Sequence, residues 1–74
     1  MSLQSERLKA GLSQSKLAAI SGISIKTIQK YEIGYRSIDS ANLDTLCTLC
    51  LAIGCTIYDI LESDDLKRQL EKVT

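Results

Sequence analysis

The chain has 74 residues, with nine basic side chains balanced by nine acidic ones and no His, Pro, Trp or Phe. A chain this short makes one small domain, whose single core supplies only a few kcal/mol of net stability, so every helix cap and buried pair carries weight. No apolar run reaches the length of a membrane span, and no basic-then-apolar leader opens the chain; the expected setting is cytoplasmic and reducing, which disfavours a structural disulfide.

The apolar share is 45%. Without large aromatics beyond three Tyr, the core must be built from Leu, Ile and Ala, a mixture that favours helices. The charge is unevenly spread. Residues 1–40 carry Arg7, Lys9, Lys16, Lys26, Lys30 and Arg36 against Glu6, Glu32 and Asp39, a balance of +3, and residues 41–74 carry the compensating −3. A zero total argues against a nonspecific coat on nucleic acid, whereas the asymmetry is compatible with a basic face that meets a polyanion and an acidic remainder that does not. Scattered solvated charge explains the imbalance about as well.

Glycine supplies the punctuation: Gly11, Gly22, Gly34 and Gly54 each stand where an apolar helical period stops, the position at which a left-handed residue closes a helix. Helix 1 is expected from about Ser2 to Ala10, with Leu3, Arg7 and Ala10 on one side. Helix 2 starts after Ser13, a good N-cap, and carries Leu17, Ala18 and Ser21 on one face. Gly22 and Ile23 separate it from the next cap, Ser24. Helix 3 runs from Ile25 to about Ile33, with Ile28 and Tyr31 pointing inward. Residues 35–39 are expected as loop.

Helix 4 is expected from about Ser40 to Ile53, with Leu43, Leu46, Leu49, Cys50 and Ile53 as its core-facing stripe. Thr56 followed by Asp59 has the form of a capping box with Asp in the Glu role, opening a short helix in which Ile57, Ile60 and Leu61 are apolar. A tail with Leu66, Leu70 and Val73 at helical spacing follows, with Ser63 as its cap and two acids in its first turn. The fold class is therefore all-α, divided as a domain over residues 1–62 and a C-terminal helical extension over residues 63–74.

The cysteines Cys47, Cys50 and Cys55 lie close together in CTLCLAIGC and invite a metal reading. Three thiolates without a His or a fourth Cys make an incomplete tetrahedral zinc site in one chain, so no metal and no other cofactor is expected, although a site shared between two chains stays open. With no His and no acid–base pair standing out near the thiols, catalysis is not expected either. Cys50 and Cys55 fit as small core hydrophobes, and Cys47 falls toward the flank of helix 4.

Two short helices joined by a glycine turn, the second beginning with small polar and basic side chains, meet the physical requirement for placing a helix in a DNA major groove. The strings RLKAGLSQSKLAAISGIS, KTIQKYEIG and LDTLCTLCLAIGCTIYDIL are similar to those of the Cro and phage-repressor-like helix-turn-helix proteins, the xenobiotic-response-element family, from Leu3 to Leu61. The core of the likeness is G-L-S-Q-x-x-L-A, the G-[IV]-S turn and Y-E-x-G. This resemblance implies a compact five-helix, lambda-repressor-like DNA-binding domain with helices 2 and 3 as the helix-turn-helix.

Residue by residue, the resemblance implies backbone contacts from Ser13 and Gln14 at the start of helix 2 and from Tyr35 and Arg36 in the loop after helix 3. It implies base contacts from Ile25, Lys26, Thr27 and Lys30. The chemistry agrees: lysine donates to guanine O6 and N7, Thr27 suits a base edge or a phosphate, and Ile25 suits a thymine methyl. Two departures stand out, since the loop from Gly34 to Leu43 is longer than the common family form and Ile25 occupies a place where many members put a polar reader. Arg7 and Glu32 match a family ion pair with a structural role.

The function this implies is that of a sequence-specific transcriptional regulator, most simply a repressor, binding double-stranded DNA as a homodimer on an inverted repeat. Cys47, Leu51, Tyr58, Leu66 and Leu70 are the candidate dimer contacts. The alternative, from a different class, is an antitoxin-like interaction module that uses the same fold to hold a protein partner, and the neutral net charge favours it.

Overall fold

The computed structural model describes residues 2–73. Six α-helices follow one another among them: α1 (Leu3–Lys9), α2 (Gln14–Ser21), α3 (Ile25–Glu32), α4 (Leu43–Ile53), α5 (Ile57–Ile60) and α6 (Asp64–Val73). A single 3-10 turn, Ile38–Ser40, interrupts the connection between α3 and α4.

Side-chain caps explain most of the starting points. Ser2, Ser13, Ser24, Asn42 and Thr56 each accept from a backbone N–H in the first turn of the helix that follows, satisfying donors that have no partner inside the helix. Thr56 and Asp59 form the reciprocal capping box that the sequence suggests. The Asp59 carboxyl is held below its usual pKa by the Thr56 backbone N–H it accepts from. Glycines close the ends. At Gly22, φ is +75°, a left-handed turn that carries the chain from α2 into α3 with only Ile23 and Ser24 between; a Cβ there would meet no atom within 4 Å. Backbone conformation, not space, therefore selects glycine at this turn.

Leu3, Leu17, Ile28, Ile38, Leu49 and Ile60 are the fully buried side chains, one from each of α1 to α5 and one from the 3-10 turn. Five short helices and a loop residue thus converge on one centre. Around it pack Tyr31, Leu46 and Cys50, with Leu12, Ala18, Ile23, Ile53, Cys55 and Ile57 partly covered. The Cα radius of gyration is 11.5 Å, against about 11 Å for a compact chain of this length, so α6 lies back on the body. Its Leu66 and Leu70 share a shallow groove with Leu46, Ile57 and Leu61.

Three expectations change. Helix 4 begins at Leu43, not near Ser40, because the Asn42 side chain accepts from Thr45 N at 2.9 Å and stops the helix from extending further back. Leu43 is accordingly 67% exposed and does not belong to the core stripe. The segment read as loop contributes a core residue, Ile38, at 1% exposure. Helix 1 ends at Lys9, which leaves Ala10 exposed as its C-cap instead of on the buried side with Leu3 and Arg7.

Candidate nucleic-acid interface

The inner half of the candidate site is a buried charge. Arg7 and Glu32 meet in a bidentate pair, Nε to Oε2 at 2.7 Å and Nη2 to Oε1 at 3.0 Å, with side chains only 8% and 2% exposed. The remaining Arg7 nitrogen, Nη1, donates to the Leu12 carbonyl at 2.7 Å. The hydrogen bonds to Glu32 push the Arg7 pKa up, against the effect of burial. This pair joins α1 to the last residue of α3 and clamps the loop before α2, so it fixes the angle at which the two helices of the turn are presented.

The outer half begins at Gln14. Its Nε2 donates to Glu32 Oε1 at 2.9 Å, and its Oε1 accepts from Gln29 Nε2 at 3.3 Å. Ser13 caps the same helix end, accepting from Lys16 N at 3.0 Å. The first-turn amides of α2 have no partner inside the helix and point their partial positive charge outward, as an anion site requires.

On α3 the exposed positions are Lys26, Gln29 and Lys30, with Ile33 just past the helix end. Ile25 and Thr27 are half-buried. The Thr27 hydroxyl lies 3.0 Å from that of Ser24, and Ser24 also accepts from Thr27 N, so Thr27 is engaged at the cap while Ile25 lines the shallow cleft between α2 and α3. Tyr35 is 76% exposed, and Lys30 Nζ stands 5.8 Å from its ring centroid. Arg36 N donates to Lys30 O at 3.1 Å across the Gly34 turn, which ties the loop back to α3 and keeps Tyr35 and Arg36 near Lys30.

Ser13 and Gln14 thus lie at the N-terminus of α2, and Lys26, Lys30 and Tyr35 lie along the exposed side of α3 and the loop after it, whereas Thr27 is turned to its own cap and Ile25 to the cleft. Gln29 escaped the sequence reading. Its signal was present, for it stands three residues after Lys26 and one before Lys30, on the same outward arc of the helix. The candidate dimer contacts divide into two places. Cys47 and the 85%-exposed Leu51 line up with Leu43 at steps of four along one side of α4, whereas Tyr58, Leu66 and Leu70 are half-buried around α5 and α6. Lys67 Nζ lies over the Tyr58 ring at 5.6 Å.

All three cysteines are free thiols: Cys47 exposed, Cys55 half-buried and Cys50 buried. Burial, with Cys55 adding to it, pushes the Cys50 pKa up to about 12, and burial also raises that of Cys55. A maleimide added to the folded protein at neutral pH, at a concentration low enough to keep it monomeric, is expected to label the exposed Cys47 first and the buried Cys50 last. Equal rates at the two would contradict this placement.

Ligand atoms of Glu6, Cys55 and Asp59 lie within 4.8 Å of one another. Each of these groups has other interactions: Glu6 pairs with Lys9 at 3.2 Å, Asp59 caps α5, and burial raises the pKa of the Cys55 thiol. No helix among the described residues is long and apolar enough to cross a membrane.

A capped helix, a left-handed glycine turn and a second helix with an exposed, lysine-bearing side, all locked from beneath by one ion pair, define a helix-turn-helix domain of the DNA-binding kind. A family model described as Helix-turn-helix matches residues 3–60, and the chain belongs to that family, in its Cro/C1-type branch. Neither the curated proteins nor the solved structures gave a significant match.

Proposed function

We propose that this protein is a sequence-specific transcriptional repressor that binds an inverted-repeat operator as a homodimer, inserts α3 in the major groove and covers the promoter. One observation carries the reading: the hydrogen-bonded line Arg7, Glu32, Gln14, Gln29 joins the interior to the N-terminus of α2 and the outward side of α3, the two surfaces that meet DNA in this reading. In this reading the α2 amides and Gln14 take one phosphate, Tyr35 and Arg36 take another, and Lys26 and Lys30 reach base edges between them. Phosphate contacts fix the register and base contacts give the sequence preference.

A single domain with so few readers binds weakly, and two-fold symmetry doubles the contact set, with half-sites about 34 Å apart. The stripe Leu43, Cys47 and Leu51 supports a contact with a second copy, since three apolar side chains at successive turns are costly to leave in water. Leu51→Glu is expected to leave the helical content unchanged by circular dichroism, to shift the protein to monomer in sedimentation and to weaken operator binding, with a melting temperature lowered only by the loss of the dimer; a variant that sediments like the parent would remove α4 from the interface.

A protein-binding module built on the same fold is the second reading. An open, mainly apolar groove of about 580 Å³ between α5 and α6, lined by Thr56, Ile57, Tyr58, Leu70 and Glu71, favours it. Selection of bound duplexes from a random pool decides between the two: enrichment of an inverted repeat supports the operator, and no enrichment at low salt supports the protein partner.

A further inference from the structure

We propose that the pocket beside the loop between α3 and α4 binds a small phosphate monoester, and that this ligand competes with DNA for Arg36. The phosphate site stands on its own; the competition rests on the DNA-binding reading above, in which Arg36 holds a backbone phosphate.

The loop after Gly34 is held at three points. Ile38, at 1% exposure, pins it into the core, the 3-10 turn Ile38–Ser40 folds it back, and the Asp39 carboxyl accepts from Glu62 N at 2.8 Å. Between this loop and α3 lies a space of about 280 Å³ lined by Tyr31, Arg36, Ser37, Ser40 and Ala41. Asp39, next to Ser40 in sequence, lines a different groove beside α6, so the lining carries one positive charge and no carboxylate.

The polar side chains of the pocket are idle. Ser2, Ser5, Ser13, Ser21, Ser24 and Ser63 each accept from a backbone N–H. Ser37 caps nothing, and neither it nor Ser40, the Tyr31 hydroxyl or the Arg36 guanidinium has a hydrogen-bond or ion-pair partner among the described residues. Tyr31 is only 8% exposed, yet no buried side-chain nitrogen or oxygen among the described residues lacks a partner. Its hydroxyl must therefore reach a space that the residue borders. The second such space, about 190 Å³, contains the Glu62 carboxylate and disfavours an anion.

A planar guanidinium presents paired N–H donors to two oxygens of a phosphate, and hydroxyls donate to the third. A carboxylate offers two oxygens to the same groups, so a phosphate monoester uses the donor set more fully. The Tyr31 ring and Ala41 supply an apolar wall for the ester carbons, and a space just below the usual ligand range of about 300–1,000 Å³ admits only a few of them. A guanidinium engaged in the pocket cannot also hold the duplex, so the bound ester removes one backbone contact and loosens the protein from its operator.

The first measurement uses no DNA. Amide NMR shifts of the full chain titrated with glycerol 3-phosphate, at ionic strength held constant with sodium chloride, are expected to move at residues 36–41 and to saturate. Tyr31→Phe, and separately the double variant Ser37→Ala with Ser40→Ala, should bind the ester roughly 10-fold or more weakly, with circular dichroism identifying any variant that fails to fold. In the second measurement, anisotropy on a selected duplex at the same ionic strength, saturating ester should lower parent affinity roughly 5-fold or more. The double serine variant should keep the parent's affinity for DNA and lose the response. Shifts that do not saturate, or that spread equally over all basic side chains, would overturn the phosphate site. Unchanged ester affinity in Tyr31→Phe would overturn the part given to its hydroxyl, and a saturable site that leaves DNA affinity untouched would overturn the competition. No ester binding, together with uniformly weaker DNA binding by the double serine variant, would make the pocket a seat for a duplex phosphate and overturn the free ligand. A parent that binds the ester and no duplex would overturn the DNA reading and the competition, and leave the phosphate site standing.

Discussion

Glu32→Ala is expected to destabilise the domain by about 3–5 kcal/mol, the cost of leaving a buried charge without its partner. The substitution strands the Arg7 guanidinium, which is 8% exposed and would keep only the Leu12 carbonyl, and it removes the acceptor that holds Gln14. Small domains have a total stability of about 5–15 kcal/mol, with the shortest chains toward the bottom, so much of the variant should be unfolded at 37 °C. Each kcal/mol lowers the melting temperature of a domain this size by about 4–8 °C. Thermal denaturation followed by circular dichroism reads the effect directly, and a variant melting with the parent would show that the pair is not structural.

Replacing both partners separates the charge from the contact. Arg7→Met with Glu32→Leu should be milder than Glu32→Ala alone, because paired apolar side chains leave no uncompensated ion. The double variant should nevertheless bind DNA poorly, since Gln14 loses its anchor and the order of the recognition surface goes with it. Stability and binding would then part company in one protein, which a purely structural ion pair does not predict.

The second large effect is expected at Lys26. Lys26→Ala should cost roughly 1–3 kcal/mol of operator affinity and relax the preference at one base pair. It should change stability by less than about 0.5 kcal/mol, because the side chain is exposed and joins no ion pair among those found between described residues. Lys30→Ala is expected to behave similarly with a further contribution, for Lys30 stacks on Tyr35 and an exposed cation–π contact is worth about 0.5–1 kcal/mol. Competition titrations against duplexes changed at single positions measure both. Unaltered affinity in both variants would take the outward side of α3 out of the interface.

Much of this was legible in the sequence for physical reasons. Four glycines after apolar periods and small polar residues before them marked helix ends, because caps and left-handed turns are local chemistry. All four glycines adopt positive φ. Arg7 and Glu32, 25 residues apart, were legible through resemblance alone, since no periodicity announces a pair that distant. Ile38 was not legible: one buried residue in a polar loop has no period to reveal it, and only the approach of α3 and α4 makes it core. Ser40 and Asn42 are both good caps, and local preference could not say which would win. Gln29 was hidden differently. It looks like any solvent-facing glutamine until Gln14 is placed beside it, and that meeting depends on the crossing of α2 over α3.

In the proposed function this surface holds DNA by its phosphates before it reads the bases. Fluorescence anisotropy of the full chain on a selected palindromic duplex, repeated from low to moderate salt, tests it most directly. Log K is expected to fall linearly with log salt, by about 0.9 for each phosphate neutralised, and Arg36→Ala to make the slope shallower by about one. Binding unaffected by salt, or no binding even at low salt, would contradict it.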